Sequence, residues 1–263
     1  MLDAALLLAA TAAAHFDPPL GAPLVYVSRE ERVIGGKTMR FESHRRITFA
    51  RDSEGFVATI RFDKADNDAG GDVAAMFEAA MGSLSNRAVR LRLDPQGAVV
   101  GIDDVEAVWT ALCDAIAALP GDPGQRTRAA SFAAALRTLP PAQRERMLAS
   151  LVAPLVAGED AALAPGPVTP ITIRARPPAA AGATIAGTQT VTRDSNGKLD
   201  IHLAASGEVA AAGGATAHVT ADRERVIDPA TGLVLAVHDH RITTIGDDRT
   251  TADTNVTLTI PVS

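Results

Sequence analysis

Apolar and polar positions alternate with a period of two at both ends of the chain and with a helical period through its middle. Leu24 to Ile34, Thr38 to Ala50, and the stretch from Gly55 through Phe62 read as strands, with Gly35-Gly36 as the first turn. Asp63 to Gly71 reads as a polar loop. Asp72 to Leu84 then places Val73, Met76, Phe77, Ala80, Met81 and Leu84 at helical spacing, which predicts a short amphipathic helix. Arg87 to Leu93 and Ala98 to Ile102 form a further hairpin. Asp103 is the expected N-cap of a second helix: Glu106 completes a capping box, and Val105, Val108, Trp109, Leu112, Ile116 and Leu119 make one apolar stripe. A third helix is expected over 127–139. A fourth starts at Pro140-Pro141, carries Met147, Leu148, Leu151, Val152 and Leu155, and should kink at Pro154.

Glycine and proline crowd residues 158–170, which read as a linker between a half at 15–157 and a half at 171–263. The second half is nearly all strand, expected at 171–176, 183–193, 198–209, 215–227, 233–245 and 249–262, with short connections that imply antiparallel neighbours. In 198–209, Leu199, Ile201 and Leu203 face one side while Asp200, His202, Ser206 and Glu208 face the other, so one face is buried and one wet. The turn Arg51-Asp52-Ser53-Glu54-Gly55 is echoed by Arg193-Asp194-Ser195-Asn196-Gly197, and Asp94-Pro95 by Asp228-Pro229. The echo suggests a duplicated meander; chance recurrence of common turn residues is the alternative. The expected fold is α+β: mainly antiparallel β-meanders in two related halves, with amphipathic helices packed on a sheet face.

Composition narrows the function classes. The 263 residues carry a net charge of −6, and only 3% are aromatic, with one Trp and one Tyr. A nucleic-acid groove needs basic and aromatic surfaces that this chain lacks. Leu6 to Ala10 followed by Ala12-Ala13-Ala14 looks like a signal peptide over residues 1–14, although Asp3 and the absence of Lys or Arg before the apolar run imply either a translation start further upstream or a short buried helix. A periplasmic or secreted protein is therefore expected, not transmembrane after processing, because no other stretch is long and apolar enough to span a bilayer. Cys113, the single cysteine, excludes an intramolecular disulfide and reads as a buried, inert thiol.

The meander order, the Leu93-Asp94-Pro95-Gln96-Gly97 hairpin, and the Met147-Leu148…Leu151-Val152…Pro154-Leu155 helix before a proline-rich break resemble a group of uncharacterised secreted bacterial β-proteins. More distantly the chain is similar to the open half-barrels of the periplasmic lipoprotein carriers. The resemblance implies a curved sheet whose concave face holds helices or an acyl chain, and it carries over no functional residue.

Candidate chemistry is sparse. Arg45 interrupts an apolar face between Phe41 and Ile47: either it points inward to meet an anionic headgroup or carboxylate, or a bulge turns it to solvent. Phe41, Phe49 and Trp109 join Arg45 as speculative ligand-binding residues. Pairing across the 209–215 and 228–232 turns would set His202 opposite Asp222, and Asp222 opposite His238, a row able to ligate a transition metal. The row would also suit a plain solvated sheet. Ser195-Asn196-Gly197-Lys198 has an S-x-x-K spacing but sits in a hairpin turn without partner motifs. No cofactor motif is present, so none is expected. The expectation is an exported, non-enzymatic protein binding an apolar ligand, a lipid or a hydrophobic segment, in a curved sheet. A structural or interaction module of the cell envelope, with an envelope protein as partner, is the alternative; a metal-dependent hydrolase is a weaker one.

Overall fold

The computed structural model describes residues 16–85, 87–176, 179–180, 182–211 and 214–259. The expected signal peptide over residues 1–14 lies outside the described residues. Eleven strands form one antiparallel sheet: β1 Leu24–Ile34, β2 Lys37–Asp52, β3 Gly55–Asn67, β4 Val89–Leu93, β5 Val99–Ile102, β6 Gly166–Arg174, β7 Thr184–Arg193, β8 Leu199–Ala210, β9 Thr216–Asp228, β10 Leu233–Ile245 and β11 Asp248–Thr259. Among the described residues four helices complete the α+β fold: α1 Gly71–Ser85 between β3 and β4, then α2 Val105–Ala117, α3 Pro123–Arg137 and α4 Pro141–Ala149 between β5 and β6.

The strand order is β5-β4-β3-β2-β1-β11-β10-β9-β8-β7-β6. Two meanders are thus fused by β1 and β11, which pair from Val25 opposite Thr259 to Ile34 opposite Thr250. β5 and β6 end at opposite edges, so the chain between them must cross a face of the sheet. It does so through α2, α3, α4 and two 3-10 turns, Ala153–Leu155 and Gly158–Ala162. Along that crossing Val156 bridges to Leu233, and the Ala157 amide donates to the Gly232 carbonyl at 2.9 Å. Residues 158–170, the expected linker, hold the second 3-10 turn and the start of β6.

One hydrophobic core lies between the sheet and the helices, with Ile47, Phe49, Ile60 and Leu91 from strands meeting Leu84, Trp109, Cys113 and Leu148 from helices. Leu233, Val256 and Leu258 of the second meander belong to the same core. The Tyr26 hydroxyl of β1 donates to the Val234 carbonyl of β10 at 3.1 Å, a bond between the two meanders. Smaller cores under β7–β9 gather around Ala217 and Val219, and around Leu199 and Ile227.

Local chemistry explains where boundaries depart from expectation. The residue before α2 is Asp104, in a left-handed conformation and without a side-chain cap bond, so the Asp103–Glu106 capping box does not form. Asp103 instead gives its amide to Arg90 and its carboxylate to Arg90 and Arg92. The capping box of this chain belongs to α3, where Asp122 accepts from the Gln125 amide, Gln125 returns the bond, and Pro123 fills the first turn. α4 stops at Ala149, so Pro154 sits in a 3-10 turn rather than kinking a longer helix. The echoed turns also differ. Ser53-Glu54 is a tight two-residue connection between paired Asp52 and Gly55. Asp194 accepts from the Asn196 and Lys198 amides, the bond pattern that Asp94 makes with Gln96 and Ala98. In that Asp94 turn Gly97 has φ 86°, and a Cβ there would come within 2.6 Å of Val156 and 2.9 Å of Phe16, so the crossing chain rests directly on it.

Because one sheet and one core span both meanders, unfolding should be a single event. Trp109 fluorescence and far-ultraviolet circular dichroism should give the same urea midpoint. Tyr26→Phe should lower stability by about 1 kcal/mol, the net worth of a typical hydrogen bond, measured by urea titration.

Candidate functional site

Two cavities on the helix-bearing side of the sheet are bordered by the helices or by the chain that crosses from β5 to β6. The first is a groove of about 540 Å³ between α1, α2, α3 and α4, lined by apolar side chains including Met76, Phe77, Trp109, Phe132, Met147 and Leu151. Its helices are tied together by charged pairs: Arg128 of α3 to Asp72 of α1, Arg137 of α3 to Asp114 of α2 at 2.7 Å, and Arg144 of α4 to Glu106 of α2 at 2.6 Å. Arg144 also donates to the Arg137 and Leu139 carbonyls at the end of α3, at 2.7 and 2.8 Å. Trp109 Nε1 donates to the Leu136 carbonyl at 3.2 Å, which leaves its ring as wall. The groove is open at its margin, where Val73, Phe132 and Met147 are 56%, 46% and 44% exposed. Isolated apolar residues on a surface are ordinary; three around one apolar groove form a patch.

The second cavity, of about 390 Å³, is lined by Arg45, Arg176, Arg223, Arg225 and Asp239, and Ala153-Pro154 of the crossing chain borders it. The sequence posed burial and a bulge as alternatives for Arg45, and the structure contains both. The register of β2 and β3 shifts between His44 and Arg45, and the extra residue is Asp63 of β3. Alternation in β2 is therefore unbroken and Arg45 stays inward, 9% exposed. Its Nη1 donates to the Leu151 carbonyl at 3.0 Å, its guanidinium carbon stands 5.9 Å from the centre of the Phe62 ring, and its Nε has no hydrogen-bond partner. Burial pushes its pKa down and pushes that of the neighbouring Tyr26 phenol up. Arg225 is likewise lowered by burial, partly offset by Asp160.

The other sequence candidates separate. Trp109 lines the groove, and Phe41 packs edge-on against the groove residue Phe77 at 5.1 Å. Phe49 lines neither cavity: it is fully buried and packs edge-on against Phe16 at 5.6 Å. Cys113 is fully buried, and burial raises its thiol pKa, as expected of an inert thiol. The sequence did not single out Arg176, Arg223, Arg225 or Asp239. The signal was present: Arg223 and Arg225 continue the face of Ala217, Val219 and Ala221 in β9 and interrupt it as Arg45 interrupts β2.

The histidine row requires a register correction. His202 and His238 both stand opposite Glu224, while Asp222 stands opposite Ala204 and His240. The β8–β9 turn has the expected length but sits one residue further along, with Ala210 opposite Thr216, and the β9–β10 register shifts at the bulge between Val234 and Ala236; across each hairpin the partner moves by two residues and the face is kept. His202 Nε2 reaches Asp222 diagonally at 2.9 Å, and His238 Nδ1 turns away to Asn255 at 2.7 Å. Ligand atoms of His202, Asp222 and Glu224 lie within 4.8 Å of one another on an exposed surface, so a cation there would have to displace the existing His202–Asp222 bond. 

Phe49→Ala should destabilise the fold by about 3–5 kcal/mol, measured by urea unfolding, as expected for a buried aromatic ring. Any zinc taken up by the outer face, measured by calorimetry, should be weakened by His202→Ala and unaffected by His238→Ala.

Among the described residues no helix is long and apolar enough to cross a membrane. No protein-family model matches the chain, and no curated protein is similar to it. Among solved structures the chain is similar to lipovitellin, in a structure titled for its lipid–protein interactions, with a TM-score of 0.46 and 9% identity over 94% of this chain and 26% of that one. The chain thus spans about a quarter of that neighbour's length, and at this level of likeness nothing of its function transfers.

Proposed function

We infer that this protein binds the acyl chain of a lipid in the groove between α1, α2, α3 and α4, as an exported carrier or binding module without catalytic activity. The observation that carries this reading is the groove itself, whose volume of about 540 Å³ falls within the range of small-molecule sites, roughly 300–1,000 Å³. The residues that line it are all apolar or aromatic. Met76, Met81 and Met147 give it thioethers that adapt to an irregular apolar guest. Exposure of Val73, Phe132 and Met147 to water is unfavourable, and an acyl chain would remove that surface from it. The sequence placed such a ligand against the sheet; the groove lies among the helices instead.

The only tryptophan of the chain lines this groove, so occupancy has a direct optical signal. A brominated fatty acid should quench Trp109 fluorescence saturably. Phe132→Glu should weaken that binding at least tenfold while leaving the urea midpoint nearly unchanged, because Phe132 is 46% exposed. Absence of quenching would remove the lipid reading. A polypeptide that co-purifies and shields Trp109 would replace it with an interaction module.

A further inference from the structure

The second cavity concentrates positive charge in a protein that is acidic overall. Its wall carries four guanidiniums and one carboxylate, against a net charge of −6 for the chain. Asp239, 8% exposed, is shared among three of the arginines around it. Its Oδ2 accepts from Arg223 Nη2 at 2.5 Å and Nε at 3.0 Å and lies 3.7 Å from Arg176 Nη2, while its Oδ1 lies 3.6 Å from Arg241 Nη2. Arg225 is held by Asp160 and stands 3.5 Å from the Val156 carbonyl. Arg45 has no carboxylate partner among the described residues, and its Nε has no acceptor. Guanidiniums so placed present forked donors suited to planar or tetrahedral oxyanions, and a buried one without an anion is an uncompensated charge.

We propose that this cavity binds a phosphate group, through Arg45 and Arg176 with Arg223 and Arg225 alongside. Phosphate fits better than a single carboxylate because the excess of guanidiniums over carboxylates exceeds one charge. The charged groups of the pocket come from four separate parts of the chain: β2 supplies Arg45, β9 supplies Arg223 and Arg225, β10 supplies Asp239, and Arg176 follows β6. The crossing chain borders it through Ala153-Pro154. The phosphate could be free or could be the head of the lipid proposed above; only that second source rests on the acyl-chain reading. Leu151 connects the two cavities, since its side chain lines the groove and its carbonyl accepts from Arg45.

Calorimetry with inorganic phosphate, dodecyl phosphate and dodecyl maltoside separates the sources. Wild type should bind dodecyl phosphate at least tenfold more tightly than dodecyl maltoside. Arg45→Met and Arg176→Gln should each remove most of that preference while dodecyl maltoside binding stays the same. Arg176 is exposed, so its variant tests the pocket even if the buried Arg45 is needed for folding. Saturable inorganic phosphate binding lost in Arg176→Gln would support a free-anion site even if neither detergent bound, and the acyl-chain reading would then fall alone. Equal affinity for the two detergents, no inorganic phosphate binding and no effect of Arg176→Gln would overturn the phosphate pocket and leave the groove reading standing. Absence of binding by all three probes would overturn both.

Discussion

The pairing of β1 with β11 is the constraint from which the remaining architecture follows. It makes one sheet of two meanders and sends β5 and β6 to opposite edges. A chain leaving β5 can reach β6 only by passing over a face of the sheet. That route carries α2, α3 and α4, and it ends in a strap pinned by the Val156–Leu233 bridge and the Arg225–Asp160 pair. Both cavities are products of this crossing: one lies among the helices, and the other lies where the strap passes over the sheet.

The buried arginine is stable in this setting because several weak compensations converge on it. Removing an ion from water costs several kcal/mol even after relaxation. Arg45 recovers part of this through one carbonyl and the face of Phe62, a ring placed opposite it by the bulge at Asp63. The bulge leaves Arg46 beside Asp63 on the other face, where the two pair bidentately at 2.7 and 3.1 Å. Neighbouring arginines of β2 thus have opposite fates, one paired in solvent and one buried without a counter-charge among the described residues.

Much of the fold was legible in the sequence because strand alternation is a local property. The strands of the second half, the α1 stripe and the apolar stripe of α2 with Val108, Trp109 and Ile116 all emerge where their periods place them. What was not legible is what depends on distant partners. Nothing local announces that Val25 faces Thr259, and the β8–β9 register turned on a displacement of the hairpin by a single residue. Asp103 has the right spacing to Glu106 for a cap, yet two strand arginines compete for its carboxylate. The arginine pocket went unread for a related reason. Charged residues in an alternating strand are ordinarily taken as solvent-facing, and only the phase shared with Val219 and Ala221 shows that Arg223 and Arg225 point the other way.

An open sheet of eleven strands leaves two edges whose backbone groups could recruit another chain. β5, at one edge, is only four residues long and offers little template. β6, at the other, carries Pro167 and Pro170, which have no amide proton to give to an incoming strand. The same prolines that looked like a linker in the sequence act as a terminator of sheet growth. They allow a long, unclosed sheet to remain a discrete molecule rather than the start of a fibre.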